Sequence, residues 1–541
     1  MIKKIGLFVV GTCIILLGVG FRADDRYFEM ARNLDIFASL YKEVNTLYVE
    51  DLNPNRLIRK GIEAMLAELD PYTNFYPEDD IEEVRTMATG KYNGIGASVM
   101  DYQKKYFISQ VFEGSPADLA GIKVGDEVLA IGPVSLANRS EMEVNRLVRG
   151  QSGSRVKLTI QRYGQAKPIQ IEVTRGVVKT PNVPHFGMVT ADVGYIQLTD
   201  FSATAAREIQ DAYEQLAAQG MKKLILDLRG NPGGLLNMAI DICNFFLPKG
   251  QVIVETKGRL DEWNKVYKAV NDPLNLDIPL AVLINGRSAS ASEIVSGTLQ
   301  DYDRAVIIGQ QSFGKGLVQT TRDLSFNTKL KVTTAKYYTP SGRCIQAINY
   351  GQRSETGEVT KVPDSLRVAF KTQKGRTVYD GGGVTPDVVT PAPVQPLVLQ
   401  ELIRQKKVFD YATHYFYRHP KEIPGSQFVP PYEDFVQWLV MQSFTYQSAA
   451  EKQLYKWAEL SGKEGVAYQE ELKSLEKKFA QTKQNDLQKH KEVILTELTR
   501  EILGRYHYQK AAKFLAFEKD PEVMEAVRVL SDVSLYRKIL P

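Results

Sequence analysis

Two apolar runs, each followed by a polar loop and a helical segment, constrain the fold of this chain more than any other feature. The first run is KKLILDL at 222–228, and the second is PLAVLIN at 279–285. Apolar runs without polar alternation are typical of strands that are buried on both faces of a parallel sheet. Strand–loop–helix units in series therefore predict an α/β core, with functional groups on loops at the carboxyl ends of the strands.

The chain is too long for one domain, and its character changes along the sequence. It has 541 residues, 43% apolar and 24% charged, which indicates several globular domains. A net charge of +4 with no basic patch gives no indication of nucleic-acid binding. We divide the chain into five segments: an N-terminal signal or anchor (1–24), a helical part of the catalytic unit (25–90), a β-rich module (91–176), the α/β core (177–392) and a helical C-terminal region (393–541).

The N-terminus has the pattern of an export signal. Lys3 and Lys4 precede an apolar run over 5–21, and Asp24 follows it closely. A short basic segment before such a run is typical of a secretory signal or of a single N-terminal anchor. The run lies at the lower limit of the length that spans a bilayer. We therefore expect an exported protein, periplasmic or in the cell envelope, that begins near Asp24 or stays anchored by 5–21.

The α/β core contains few side chains that could act as a general base. Of the five histidines, only His185 falls inside it, so the core offers a single histidine as the base of a serine–histidine–aspartate triad. A desolvated lysine can replace histidine as the base. Lys315 lies between Gly314 and Gly316 after the strand AVIIG, which makes it a candidate, although a solvated lysine in a glycine turn is the favoured explanation of this motif when it is taken alone.

Three serines compete for the role of nucleophile. Ser288, Ser290 and Ser292 all follow the second buried strand and open a helix. The first N–H groups of that helix could stabilise an oxyanion, but one serine could simply cap the helix. The loop RGNPGG after the first strand offers further N–H groups, and a tight turn is its alternative explanation. These residues alone leave the choice of serine open.

Four segments together resemble one family. LILDLRGNPGGLL, NGRSASASEIVSGTLQDY, GQQSFGKGLVQ and TAKYYTPSGRCIQ, with LDPYTNFYP at 69–77, are similar in order and spacing to the carboxyl-terminal processing peptidases, the tail-specific proteases of serine peptidase family S41. The resemblance covers roughly 26–392. It implies a crotonase-like or ClpP-like α/β spiral as the peptidase core, with an inserted mainly-β PDZ domain and an α-helical C-terminal region.

The resemblance also implies roles for individual residues. Ser290 would be the nucleophile, Lys315 the base, and Gln319 the side chain that supports the lysine. The oxyanion donors would be the backbone N–H groups of Ala291 and Gly233, with Gly234 as an alternative to the second. No metal or organic cofactor is implied.

Segment 91–176 resembles the PDZ domain of these peptidases. It contains GSPADLAGIKVGDEVLAIG, and NGIGA at 93–97 matches the loop that binds a terminal carboxylate. Gly94, Ile95, Gly96 and Ala97 would then hold the C-terminus of a peptide through their N–H groups. A glycine turn without a ligand is the alternative.

The implied function is a secreted serine endopeptidase that cleaves proteins near their C-termini and whose PDZ domain binds substrate and gates the active site. Its partners would be proteins with exposed apolar C-termini, an accessory or activator protein, and a second copy of the chain. One alternative is a binding protein that uses the PDZ domain and a degenerate peptidase scaffold, but the presence of both the serine and the lysine argues against it. The other is an acyl-CoA enzyme of the crotonase type, against which the Ser-Lys-Gln set and the PDZ segment argue.

Overall fold

The computed structural model describes residues 26–353, 358–392, 394–425, 427–463, 468–510, 517 and 520–541. The chain forms two compact units, one of residues 26–78 and 319–333 within the described chain, and one of residues 79–318 and 334–541. The predicted signal or anchor at 1–24 lies outside the described residues. Within the described ranges, no helix is both long and apolar enough to cross a membrane.

The first unit contains two helices and a short strand: α1 (26–47), α2 (Pro54–Ala67) and β1 (Asn74–Tyr76). Asn53 accepts a hydrogen bond from the N–H of Arg56, and Pro54 follows it, so α2 begins with a favourable cap. The strand β1 pairs antiparallel with residues 329–331. The sequence predicted helix in this region with a break at LDPYTNFYP, and it did not predict the strand there, because the partner of β1 lies far along the chain.

The second unit opens with α3 (Ile81–Thr89), which ends at Gly90 with a left-handed φ of 64°. The β-rich module follows, and its elements are β2 (Lys91–Gly94), β3 (Ala97–Tyr102), β4 (Lys105–Val111), α4 (Pro116–Leu119), β5 (Glu127–Ile131), β6 (Val134–Ser135), α5 (Glu141–Val148), β7 (Arg155–Gln161), β8 (Ile169–Thr174) and β9 (Gly176–Lys179). The main sheet has the order β3-β4-β5-β7-β8, and β2 pairs with β9. Alternate side chains of these strands enclose a core of their own.

The α/β core contains β10 (His185–Met188), β11 (Val193–Gln197), α6 (Ala205–Ala218), β12 (Lys223–Asp227), α7 (Leu236–Asn244), β13 (Val252–Gly258), β14 (Lys265–Lys268), β15 (Leu280–Ile284), α8 (Ala291–Asp301), β16 (Val306–Gly309), β17 (Leu317–Asp323), β18 (Lys329–Tyr338), β19 (Ile348–Arg353), β20 (Val359–Lys361), β21 (Ala369–Lys371), β22 (Thr377–Tyr379) and β23 (Val388–Val389). The central sheet has the order β10-β11-β12-β15-β16-β23. Its strands are parallel from β11 to β23, as the strand–loop–helix pattern predicted. Only β10 runs antiparallel.

The two faces of this sheet are covered by different parts of the chain. One face packs on α6, α7 and α8 in the largest apolar cluster of the described chain. The other face packs on the last two helices, which follow a helical region comprising α9 (Leu397–Arg404), α10 (Lys407–Arg418), α11 (Tyr432–Met441), α12 (Ala449–Lys463), α13 (Gln469–Lys489), α14 (Lys491–His507), α15 (Pro521–Ser531) and α16 (Val533–Ile539). The sequence predicted a helical C-terminal region but gave no sign that its end completes the core.

The helical region also contacts the β-rich module. The hydroxyl of Tyr508 donates to Asp118 at 2.6 Å, and Tyr163 lies 2.6 Å from Nδ1 of His414. The Lys406 ammonium lies 3.6 Å from the ring centroid of Phe107. An α/β class with a β-rich insertion and a helical C-terminal region is therefore confirmed.

Candidate active site

Two loops at the carboxyl ends of adjacent parallel strands meet around Ser290. One follows β12 and contains RGNPGG, and the other follows β15 and leads into α8. The hydroxyl of Ser288 donates to the carbonyl of Leu228 at 2.8 Å, and the hydroxyl of Ser292 donates to the carbonyl of Asn231 at 2.9 Å. Both serines are fully buried, so their hydroxyls serve to join the two loops.

Ser290 differs from the other two serines. Its side chain is partly exposed, whereas those of Ser288 and Ser292 are fully buried. Its backbone has φ 55° and ψ −111°, an unusual conformation for a non-glycine residue, at a sharp strand-to-helix turn. The Tyr337 hydroxyl donates to the Ser290 carbonyl at 3.1 Å and helps to hold this conformation. The sequence did not indicate a role for Tyr337.

The buried carboxylate of Glu293 connects Ser290 with the loop that contains Lys315. Oε2 of Glu293 accepts hydrogen bonds from the N–H of Ser290 at 2.8 Å and from the N–H of Lys315 at 2.9 Å. Oε1 accepts from the hydroxyl of Ser312 at 2.5 Å and from the N–H of Gly314 at 2.7 Å. One carboxylate, with no exposed surface, therefore fixes the backbones of both predicted catalytic residues.

Burial raises the pKa of Glu293 because it disfavours the charged form, and the hydrogen bonds from Ser312, Lys315, Gly314 and Ser290 oppose this effect. All four hydrogen bonds found to this carboxyl group among the described residues come from donors, which suits its ionised form. Sequence reasoning missed Glu293, because a glutamate at the third position of a helix also fits a capping box.

The glycines beside Lys315 allow close packing of its loop. A Cβ on Gly314 would lie 2.3 Å from the Cβ of Ala347, and a Cβ on Gly316 would lie 2.8 Å from the N of Gln346. Gln346 also accepts a hydrogen bond from the N–H of Gly316 at 2.7 Å. These contacts fix the course of the backbone on either side of Lys315.

The RGNPGG loop approaches Ser290 closely. Gly233 has φ 101°, and a Cβ there would lie 2.8 Å from the Cβ of Ser290 and 2.9 Å from the N of Ala291. The N–H of Gly233 donates to Oδ1 of Asn231 at 2.9 Å. For the N–H groups of Gly234 and Ala291, no acceptor is found in the described part of the chain. The arrangement places free backbone donors next to Ser290.

Gln319 lies in the first unit, on β17. Its amide donates to the hydroxyl of Thr333 at 3.2 Å, and the N–H of Thr333 donates to the hydroxyl of Thr73 at 3.2 Å. Thr73 in turn donates to the Asp70 carboxylate at 3.1 Å. The LDPYTNFYP segment is thus connected to Gln319 through Thr73 and Thr333, and the support of Lys315 by Gln319 remains a prediction.

His185 lies within an aromatic group. Its ring centroid is 5.3 Å from that of Phe517 and 5.6 Å from that of Tyr195. No group of histidine, cysteine, aspartate and glutamate side chains suitable for a metal ion occurs among the described residues.

The predicted peptide-binding loop of the β-rich module lies at an edge of its sheet. Gly94 ends β2, and Ala97 begins β3, the edge strand that packs beside α5. Gly96 has φ 79°, and a Cβ there would lie 2.2 Å from the Cβ of Ser115. An edge strand beside a helix is the arrangement to which a peptide can add as a further strand.

Comparisons with known proteins agree with this organisation. A peptidase family S41 model matches residues 192–351, a PDZ domain model matches 107–162, and a model described as "Probable PDZ-protease, C-terminal helical domain" matches 398–530. These spans fall within the three predicted segments 177–392, 91–176 and 393–541, whose exact boundaries remain a prediction.

Two curated relatives have similar sequences. A carboxy-terminal-processing protease of Bartonella bacilliformis is 36% identical over 359 residues, which cover 64% of this chain and 81% of that protein. A "Probable CtpA-like serine protease" of Staphylococcus aureus is 34% identical over 316 residues, which cover 58% of this chain and 62% of that protein.

Among solved structures, the photosystem II D1 C-terminal processing protease is 26% identical, and the match covers 66% of this chain and 88% of that one with a TM-score of 0.36. A PDZ domain of the carboxy-terminal protease from Vibrio cholerae in complex with peptide is 25% identical, and the match covers 17% of this chain and 99% of that one with a TM-score of 0.16. On the sequence evidence, this chain belongs to the carboxy-terminal-processing proteases, serine-type peptidases of family S41 that contain a PDZ domain.

Proposed function

We propose that the chain hydrolyses peptide bonds near the C-termini of proteins with Ser290 as nucleophile and Lys315 as general base. The observation that carries this assignment is the Glu293 carboxylate, which binds the backbone N–H groups of both residues. The hydrogen bonds of Ser288 and Ser292 to the neighbouring loop support the choice of Ser290, because they commit the other two hydroxyls to buried structural contacts.

The proposed reaction has two halves. Neutral Lys315 takes the proton of the Ser290 hydroxyl as Oγ attacks the peptide carbonyl, and the lysine then protonates the leaving amine. Water, deprotonated by Lys315, hydrolyses the acyl-enzyme and releases Ser290. Gln319 is proposed to orient the lysine, a role taken from the family resemblance.

The oxyanion is proposed to accept hydrogen bonds from the N–H groups of Ala291 and Gly233. Ala291 is the first residue of α8, so its N–H has no partner within the helix. The N–H of Gly233 would be shared between Asn231 and the oxyanion, while Gly234 remains the alternative donor.

The PDZ domain is proposed to bind the free apolar C-terminus of a substrate through Gly94, Ile95, Gly96 and Ala97, and to gate the active site. The position of β3 as an edge strand supports the binding role, since an extended peptide can pair with such a strand. Insertion of the domain between 26–90 and 177–392 supports gating. Both ends of the domain continue into parts of the catalytic unit, so its position is tied to that unit.

The cellular setting and assembly are also proposals. The basic and apolar N-terminus supports export, either with cleavage near Asp24 or with anchoring by 5–21, in the periplasm or cell envelope. Exposed apolar side chains on α1, including Tyr27, Phe28 and Leu34, support pairing with a second copy or with an accessory protein.

The test of the catalytic assignment is cleavage of a disordered protein by the Ser290→Ala and Lys315→Ala variants. Both should fold as the parent does and lose proteolysis by at least about a thousandfold, the scale seen when one member of a catalytic set is removed. Robust turnover by either variant would reject the dyad.

A further inference from the structure

The last residues of the chain form part of the peptidase core. The helix α15 packs on the sheet face opposite α8, in a cluster that joins two sets of buried side chains: Val523, Ala526, Val529 and Leu530 from the helix, and Val193, Tyr195, Ile225, Ala281, Leu283, Val306 and Ile308 from the strands. The Tyr536 hydroxyl also accepts a hydrogen bond from the N–H of Leu280 at 3.1 Å. The chain therefore returns to the catalytic sheet after the helical region.

Two carboxylates at the start of α15 hold Arg229, the first residue of the RGNPGG loop. Asp520 accepts hydrogen bonds from Nη1 of Arg229 at 3.0 Å and from Nη2 at 2.8 Å, and Glu522 accepts one from Nη1 at 2.5 Å. Asp227, at the end of β12, binds the same guanidinium at 2.6 Å. The planar fork of arginine is therefore fixed from both sides, at the point where the loop leaves its strand.

Glu522 also reaches the loop that contains Lys315. Its second oxygen accepts hydrogen bonds from the amide of Gln310 and, at 3.1 Å, from the hydroxyl of Thr390. Gln310 directly follows β16, five residues before Lys315. Glu522 is buried, so these bonds are sheltered from water. One side chain of α15 thus joins the starts of both loops that the proposed mechanism uses.

We propose that Asp520 and Glu522 are positioning residues for peptide hydrolysis. They hold the loop of Gly233 in register with the loop of Lys315, so the C-terminal segment sets the geometry of the oxyanion donors and the base. This inference rests on the proposed roles of Ser290, Lys315 and the oxyanion donors. Small displacements of such groups are costly, since a misplacement of about 1 Å can lower the rate about a hundredfold.

The test uses Asp520→Asn and Glu522→Gln in the full-length chain, with Glu525→Gln as the matched control. Asparagine caps a helix as well as aspartate does, so Asp520→Asn removes the charge pair while keeping the bonds from the N–H groups of Glu522 and Val523. Glu525 lies on the same helix and pairs with Arg528, outside the Arg229 network. Kinetics are measured on a short fluorogenic peptide, and the folded fraction is followed by near-UV circular dichroism.

Both test variants should lower kcat about ten- to a hundredfold with KM unchanged and the protein fully folded, while the control stays within about twofold of the parent. The proposal is overturned if kcat matches that of the control, if only KM changes, or if activity falls only in proportion to the folded fraction. Failure of the proposed function is separable, because it would appear as turnover by Ser290→Ala whatever these variants do.

Discussion

Replacement of Glu293 by glutamine tests whether its carboxylate organises the active site. Glutamine has almost the same shape, but its amide nitrogen donates hydrogen bonds and cannot accept them. If the amide nitrogen takes the place of Oε2, the N–H groups of Ser290 and Lys315 both lose their acceptor. If it takes the place of Oε1, Gly314 loses its acceptor instead.

The size of the effect follows from these contacts. At least one buried N–H group is left unsatisfied, and each such group costs about 1–3 kcal/mol. The local backbone must shift to relieve this cost, and a shift of about 1 Å at Ser290 or Lys315 lowers kcat about a hundredfold. We therefore expect Glu293→Gln to lower both the unfolding free energy and kcat.

A comparison of two buried glutamates separates catalysis from stability. Glu451 is also buried; its carboxylate accepts a hydrogen bond from the N–H of Ser448 and forms an ion pair with Lys483, but it lies in the C-terminal helices. Glu451→Gln should lower stability by a similar amount without lowering kcat. The assay is cleavage of a fluorogenic peptide well below the unfolding temperature, with the folded fraction measured in parallel. A Glu293→Gln protein that is folded and has parental kcat would refute the reasoning.

Three further predictions concern other parts of the molecule. A substrate with a free apolar C-terminus should be cleaved faster than the same substrate amidated at its C-terminus, because an amide lacks the carboxylate that the PDZ loop would bind; equal rates would contradict capture by Gly94 to Ala97. Gly233→Ala should lower kcat by at least about tenfold, because φ is 101° and the added Cβ would lie 2.7 Å from the carbonyl oxygen of Ala289, and a parental kcat would disprove this dependence. Burial, and then the charge of Arg418, lower the pKa of His414 below 6.5, so the stability that its neutral form provides is present above that pH and is lost as pH falls below it. His414→Gln should therefore flatten the dependence of the unfolding temperature on pH between about 5 and 7, and an unchanged pH profile would count against a role of His414.

The sequence predicted the features that depend on local pattern. Apolar runs followed by polar loops predicted parallel strands in series, and β11, β12, β15 and β16 pair in that way. The family resemblance selected Ser290 among three serines. The buried hydrogen bonds of Ser288 and Ser292 favour the same choice, but they depend on a loop about 60 residues away, which a sequence pattern does not reveal.

The features that the sequence did not predict depend on distant contacts of polar side chains. Glu293 resembled an ordinary helix cap, since the donors from Ser312 to Lys315 approach it only in the folded chain. Asp520 and Glu522 lie close to a charged helical region, where carboxylates are usually solvated. The pairing of both carboxylates with Arg229, and the burial of Glu522, depend on the return of α15 to the sheet. The one sequence signal for a structural role was the position of Asp520, a carboxylate directly before a helix whose apolar residues recur with a period of 3.6.

The most direct test of the central claim is a comparison of three single variants, Ser288→Ala, Ser290→Ala and Ser292→Ala, on one disordered protein substrate. Removal of the Ser292 hydroxyl breaks one buried hydrogen bond and removal of the Ser288 hydroxyl breaks two, at a cost of about 1 kcal/mol each, so measurable turnover should remain. Removal of the Ser290 hydroxyl should abolish turnover in a protein that remains folded. Turnover by Ser290→Ala, together with its loss in Ser288→Ala or Ser292→Ala, would contradict the assignment of the nucleophile.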